Sequence, residues 1–159
     1  MKKVLFISST GGHFSEMMQL EKIFKKYDYY IITEKTKSNK NLKQKYGKRI
    51  SFLFYGSYST LKTKVLYPIR FLLNIFKSLY YYIKIRPKYI VTTGTHTAVP
   101  MCYIGKIFGS KIIFIETFAN SKTKTKSGKM IYPIADLFIV QWESMLKLYP
   151  KAVYGGWIY

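Results

Sequence analysis

The sequence predicts a doubly wound α/β domain built on a parallel sheet. Short β-branched, aromatic and aliphatic runs recur at residues 4–8, 29–33, 50–55, 89–93, 111–115 and 137–140, with helical periodicity between several of them. The first and fourth runs each end in a glycine-containing turn that leads into a helical pattern. Apolar residues make up 48% of the 159 residues and aromatics 18%, enough to bury one core, so residues 1–159 are expected to form a single domain.

Met1-Lys2-Lys3 runs into Val4-Leu5-Phe6-Ile7, too short an apolar stretch for a signal peptide and well suited to a first strand. The next helix is read from the stripe Met17, Leu20, Ile23, Phe24 and Tyr27, with Glu16, Lys25 and Lys26 toward solvent. Residues 35–49 carry seven Lys or Arg, from Lys35 to Arg49, and read as a solvated connection between the second and third strands. After the fourth strand an apolar helix begins near Ala98 with Pro100 in its first turn. The fifth strand ends at Glu116, and the Lys/Thr/Ser loop over 117–128 is expected to order only on binding. The strands look apolar on both faces, as a sheet covered by helices on both sides requires.

Residues 65–85 are almost uniformly apolar or aromatic, with Pro68 placed where a helix begins. Arg70, Asn74, Lys77, Tyr81, Lys84 and Lys88 recur every three or four residues and form one stripe; Phe71, Leu72, Ile75, Phe76, Leu79, Tyr80, Tyr82 and Ile83 cover the rest. That is more apolar surface than one sheet contact consumes. Part of it is expected to face an anionic bilayer interface, with Arg70, Ile75, Phe76, Lys77, Leu79, Tyr80 and Lys84 at the membrane surface. A spanning helix, which would bury Arg70 and Lys77 in hydrocarbon at about 3 kcal/mol each, and a buried crossover helix with snorkelling cations are the alternatives.

The chain has 27 Lys plus Arg against 7 Asp plus Glu, a formal charge of +20, so an anionic partner is implied: membrane, phosphorylated substrate or nucleic acid. The basic residues are scattered through loops and an apolar helix, and no nucleic-acid motif is present, so nucleic acid is the partner not expected. Cys102 is the only cysteine, which excludes an internal disulfide and a cysteine-based metal site; no metal or cofactor is called for.

Two turns carry the chemistry. Thr10, Gly11, Gly12 and His13 precede the first helix, where glycines allow close backbone approach to an anion. The dinucleotide fingerprint is incomplete: its third glycine is missing, and Glu34 is the only acid ending the second strand. Thr93, Gly94, Thr95 and His96 form the second turn, and both histidines of the chain lie in these two turns. First and fourth strands are neighbours at the switch point of a doubly wound sheet, so the loops would flank one crevice fit for a diphosphate. His13 and Glu116 are the candidate acid–base residues, with a hydrogen bond to a neighbouring helix cap as the alternative for Glu116.

The stretch Ser127-Gly128-Lys129-Met130-Ile131-Tyr132-Pro133-Ile134-Ala135-Asp136-Leu137-Phe138-Ile139-Val140-Gln141-Trp142, continued by Tyr149-Pro150-Lys151-Ala152-Val153-Tyr154-Gly155-Gly156, is distinctive. It resembles the accessory (enhancer, PssD-like) subunits of bacterial capsular and exopolysaccharide glycosyltransferases. Those are similar to the membrane-anchor subunit of the eukaryotic transferase that adds the second N-acetylglucosamine to dolichol-diphosphate-linked sugar. The Gly11-Gly12-His13 turn, the Gly94-Thr95 turn and Glu116 also look like the amino-terminal half of the peptidoglycan N-acetylglucosaminyltransferase. The resemblance implies the acceptor half of a GT-B enzyme split between two chains. The partner would bind the UDP-sugar, and this chain would bind a lipid-diphosphate-linked sugar at the cytoplasmic membrane face, with little or no activity alone. Capsular relatives commonly transfer β-1,4-galactose. The eukaryotic amino-terminal span has no counterpart here, so residues 65–88 are expected to attach the chain peripherally. Gln141, Trp142, Gly155, Gly156, Trp157, Ile158 and Tyr159 are expected to dock the partner, the alternative being a last strand of the sheet. A membrane adaptor that binds no substrate is the rival function.

Overall fold

The computed structural model describes residues 1–56 and 61–158, with side chains in the long helix described from Val65 onward. Seven parallel strands form one sheet: β1 (Lys3–Ser8), β2 (Asp28–Glu34), β3 (Ile50–Leu53), β4 (Tyr89–Gly94), β5 (Lys111–Ile115), β6 (Leu137–Val140) and β7 (Val153–Tyr154), in spatial order β3-β2-β1-β4-β5-β6-β7. The order reverses between β1 and β4, which pair with Val4 opposite Tyr89, so the two expected loops do leave the same end of the sheet side by side. Val153–Tyr154 adds an edge strand to β6, and residues 155–158, for which a last strand was the alternative reading, follow it without strand structure.

Successive residues of each strand serve opposite faces. Leu5, Ile7, Ile32, Ile90, Ile112 and Phe114 pack beneath α4 (Leu61–Ile85), α5 (Val99–Ile107) and α6 (Lys126–Ile131). Val4, Phe6, Ile31 and Ile50 pack beneath α1 (Gly12–Met18), α2 (Glu21–Phe24) and α3 (Leu42–Tyr46), which contribute Met17, Phe24 and Tyr46. These three helices are short and cover the β1–β3 side. Over β4 to β6 the second face is a trough of about 470 Å³ lined by Tyr89, Val91, Ile113, Leu137, Ile139 and Ile158. The sheet is therefore less covered than its sequence implied.

The single first helix expected across residues 17–27 is two helices, because the Gln19 and Leu20 N–H groups turn to Glu16 and Met17 carbonyls, three residues back. Residues 35–49 hold α3 and are pinned by Asn39, whose Nδ2 donates to Glu34 O at 2.6 Å and whose Oδ1 accepts from Thr36 N. Within residues 117–128, Asn120 closes a turn onto Thr123, and Thr125 caps α6 by accepting from Gly128 N.

The largest departure is α4. Pro68 lies inside the helix rather than at its start, exposed on the outer surface. The first three members of the polar stripe face inward, while Lys84 and Lys88 are exposed. Arg70 donates to Tyr55 O, Asn74 both donates to Phe54 O and accepts from Phe54 N, and Lys77 Nζ donates to Phe52 O at 2.7 Å. β3 is the edge of the sheet among the described residues; Lys77 meets its Phe52 carbonyl, and Asn74 and Arg70 meet backbone groups of Phe54 and Tyr55 just after it. Val65, Ile69, Leu72, Leu73, Phe76, Tyr80 and Ile83 are exposed instead. Arg70 and Lys77, expected at the membrane surface, are thus turned toward the protein. Burial pushes the Lys77 ammonium below its ordinary pKa. Ile75 and Leu79 are half-buried, while Phe76, Tyr80 and Lys84 are exposed as expected. Among the described residues no helix is long and apolar enough to cross a membrane.

Candidate functional site

The loops after β1 and β4 are laced together. Ser9 N donates to Gly94 O at 3.1 Å, Thr95 Oγ1 donates to Ser9 Oγ at 3.0 Å, and Thr93 Oγ1 donates to His13 O at 2.7 Å. His13 Nδ1 lies 2.7 Å from Thr93 O, an acceptor only, so Nδ1 carries a proton and the lone pair of the neutral ring falls to Nε2. Gly94 adopts φ +100°, and a Cβ there would stand 3.2 Å from Ser127 Oγ and 3.4 Å from His13 Nδ1. Glycine is what lets the second loop pass this close to the imidazole.

His13, Thr95 and His96 line a crevice of about 780 Å³ with Tyr67, Phe71, Val99, Thr125, Lys126, Ser127 and Met130. It is polar along the loops and aromatic along α4. Thr10 and Gly11 open instead into a neighbouring cavity of about 800 Å³, lined by Lys35, Lys37, Lys40 and Tyr55. The residues expected to share one diphosphate are thus divided between two adjacent cavities. Gly12 is exposed, whereas Thr93 is buried and its hydroxyl is spent on the loop itself. Burial lowers the His96 pKa below its ordinary value, and neighbouring Glu34 opposes the shift.

Glu116 does not line the crevice. It is 2% exposed, and its carboxylate accepts from Thr117 N, Thr125 Oγ1 and Tyr149 OH at 3.0 to 3.1 Å. Its oxygens are already committed, and burial raises its pKa. The helix-cap alternative is the one observed, since Thr125 is the cap of α6. Gln141 is 1% exposed, so it is no docking surface; its Nε2 donates to Glu116 O and its Oε1 accepts from Ile158 N. Trp142 is half-buried and donates to Phe118 O. Gly155 is drawn in by its N–H bond to Val140 O, and Gly156 takes φ +63°. Trp157 is 73% exposed, edge-on to Phe118. Tyr159 lies outside the described residues.

Two residues were missed. Glu34 is 1% exposed and gathers Thr10 N, Gly56 N and Thr97 Oγ1 at 2.7 to 3.2 Å, tying both loops to the segment after β3. The position that would bind a ribose in a dinucleotide fold is here turned to structural use. Glu16, assigned to solvent, is half-buried; its Oε1 accepts from Thr117 Oγ1 at 2.7 Å and Phe118 N at 3.1 Å. Its spacing of three from His13 on one helix was the available signal. Among the described residues no group of three His, Cys, Asp or Glu is placed to hold a metal.

A seven-stranded parallel sheet with its crevice at the β1/β4 reversal defines a Rossmann-like α/β domain of the kind found in GT-B glycosyltransferases. Solved structures agree on the fold. Acinetobacter baumannii MurG superposes with a TM-score of 0.68 at 15% identity, over 91% of this chain and 43% of MurG. The S. aureus MnaA-UDP co-structure superposes with 0.69 at 14% identity, over 98% and 43%. The chain belongs to the Alg14-like family: "Oligosaccharide biosynthesis protein Alg14 like" matches residues 4–158. It is 41% identical over 80 residues to the UDP-N-acetylglucosamine transferase subunit ALG14 of Candida albicans, and 32% over 79 residues to that of Homo sapiens. Each alignment takes in 46% of this chain and only 36 to 37% of the relative's length.

Proposed function

We propose that this chain is the acceptor-side subunit of a two-chain hexosyltransferase, attached peripherally to the cytoplasmic face of a membrane. The observation that supports it best is the laced pair of loops around His13, opening on a crevice whose other wall is α4. A lipid diphosphate has that shape: an anionic head for the loops, His96 and Lys126, and an apolar tail for the exposed side of α4. Lys35, Lys37 and Lys40 add positive charge next to Gly11. His13 Nε2 is the base. It takes the proton of the acceptor sugar's hydroxyl as that oxygen bonds to the anomeric carbon of the UDP-sugar and the bond to UDP breaks. A partner chain holds the UDP-sugar. The trough over β4 to β6 continues to Ile158 beside the exposed Trp157, and supplies an apolar seat for it.

The relatives are named for UDP-N-acetylglucosamine, and the bacterial resemblance supplies β-1,4-galactosyl transfer to lipid-diphosphate-linked glucose in capsule or exopolysaccharide assembly. The test is transfer of labelled sugar from each UDP-sugar to lipid-diphosphate-linked glucose and N-acetylglucosamine, with this chain, a candidate partner, and both. Activity confined to the mixture is expected. Full activity from the partner alone would leave this chain a membrane adaptor.

A further inference from the structure

We propose that Glu16 is the positioning residue for His13: clamped by the segment after β5, its carboxylate holds the imidazole with Nε2 toward the crevice and stabilises the ring once it is doubly protonated. This rests on the assignment of His13 as base. The clamp uses one oxygen only. Thr117 Oγ1 and Phe118 N both bond Oε1, and Oε2 stands 3.8 Å from His13 Nδ1. Oε2 is buried and has no hydrogen-bond partner among the described residues. A buried carboxylate oxygen left without a donor is costly unless a charge arrives to meet it. The imidazolium formed by proton uptake at Nε2 is that charge, and Thr93 O keeps the ring from rotating away.

The other charged or titratable groups around His13 do not substitute for Glu16. His96 and Lys126 share its crevice, and neither is an anion. Glu34 is committed to Thr10, Gly56 and Thr97, and Glu116 to Thr117, Thr125 and Tyr149. Glu16 is the carboxylate with an oxygen in reserve beside the ring.

Glu16→Gln is the informative variant, because the amide oxygen still accepts from Thr117 and Phe118 while the charge is gone. The chain has two histidines, so both imidazoles can be followed by nitrogen NMR in the chain alone. In Glu16→Gln the His13 ring nitrogen resonances should move, because the carboxylate oxygen beside Nδ1 is gone, with those of His96 nearly unmoved. Equal movement of both rings, or none, overturns the proposal. In the unaltered chain neutral His13 should carry its proton on Nδ1; a proton on Nε2 overturns it without any variant. In the reconstituted transferase, Glu16→Gln should lower kcat at least tenfold with KM within twofold. Should no mixture transfer sugar, the transferase reading fails while the NMR comparison still decides the role of Glu16.

Discussion

Gly94 shows how narrowly the site is set at the scale of one residue. Its φ of +100° and the closeness of His13 and Ser127 leave no comfortable place for a Cβ. Gly94→Ala should cost about 1 to 3 kcal/mol and displace the His13 to Thr93 bond. The thermal midpoint and the His13 imidazole shifts report both, and a variant indistinguishable in both would refute the account. Asp136 fastens the start of β6, accepting from Ile112 N, Lys106 and Lys111 at 2.9 to 3.0 Å. Partial burial pushes its carboxyl upward, but the Ile112 N–H and the two lysines outweigh that and hold it at about 2, against an ordinary 3.8. A depressed carboxylate stabilises the fold above its unfolded pKa and loses that contribution as pH falls. The loss should therefore lie between 3.8 and about 2. Asp136→Asn should flatten the acid limb of the stability curve in that window, and an unchanged limb in denaturant titrations at each pH would count against it.

At the scale of an element, α4 inverts the usual arrangement. A stripe of Arg, Asn and Lys was legible in the sequence, but its direction was not, because periodicity identifies a face without saying what it meets. The end of edge strand β3 and the segment after it decided it: backbone groups of Phe52 and Phe54 need donors and acceptors, and α4 supplies them. The apolar face is left outward, with Leu72 and Phe76 more than half exposed. Leu72→Glu with Phe76→Glu should leave the thermal midpoint within about 2 °C, since exposed positions carry little packing. The same pair should abolish sedimentation with phosphatidylglycerol vesicles. Undiminished sedimentation would remove α4 from the membrane surface.

For the whole molecule, the unequal covering of the sheet carries the consequence. α4, α5 and α6 close one face, whereas the other stays open over β4 to β6, where Leu137 is 37% exposed. An apolar trough of this kind is the sort of surface a partner uses. Leu137→Glu with Trp157→Ala should end co-purification of the partner while the chain keeps its helical and strand content by circular dichroism. Retained co-purification would place the docking surface elsewhere.

The sequence by itself determined the parallel sheet, the succession of its first six strands, and the meeting of the Gly11 and Gly94 turns at one end, because strand runs are local patterns and a doubly wound chain brings its first and fourth strands together. For the same reason it placed His13 in the first of those turns. Only the tertiary structure decided which acids serve the site. Glu116 looked available at the end of β5 and proved to be consumed by Thr125 and Tyr149. Glu16 looked solvent-facing and proved to be held beside His13 by a segment about a hundred residues away. A carboxylate's role depends on which donors reach its two oxygens, and those donors come from parts of the chain that only folding brings together.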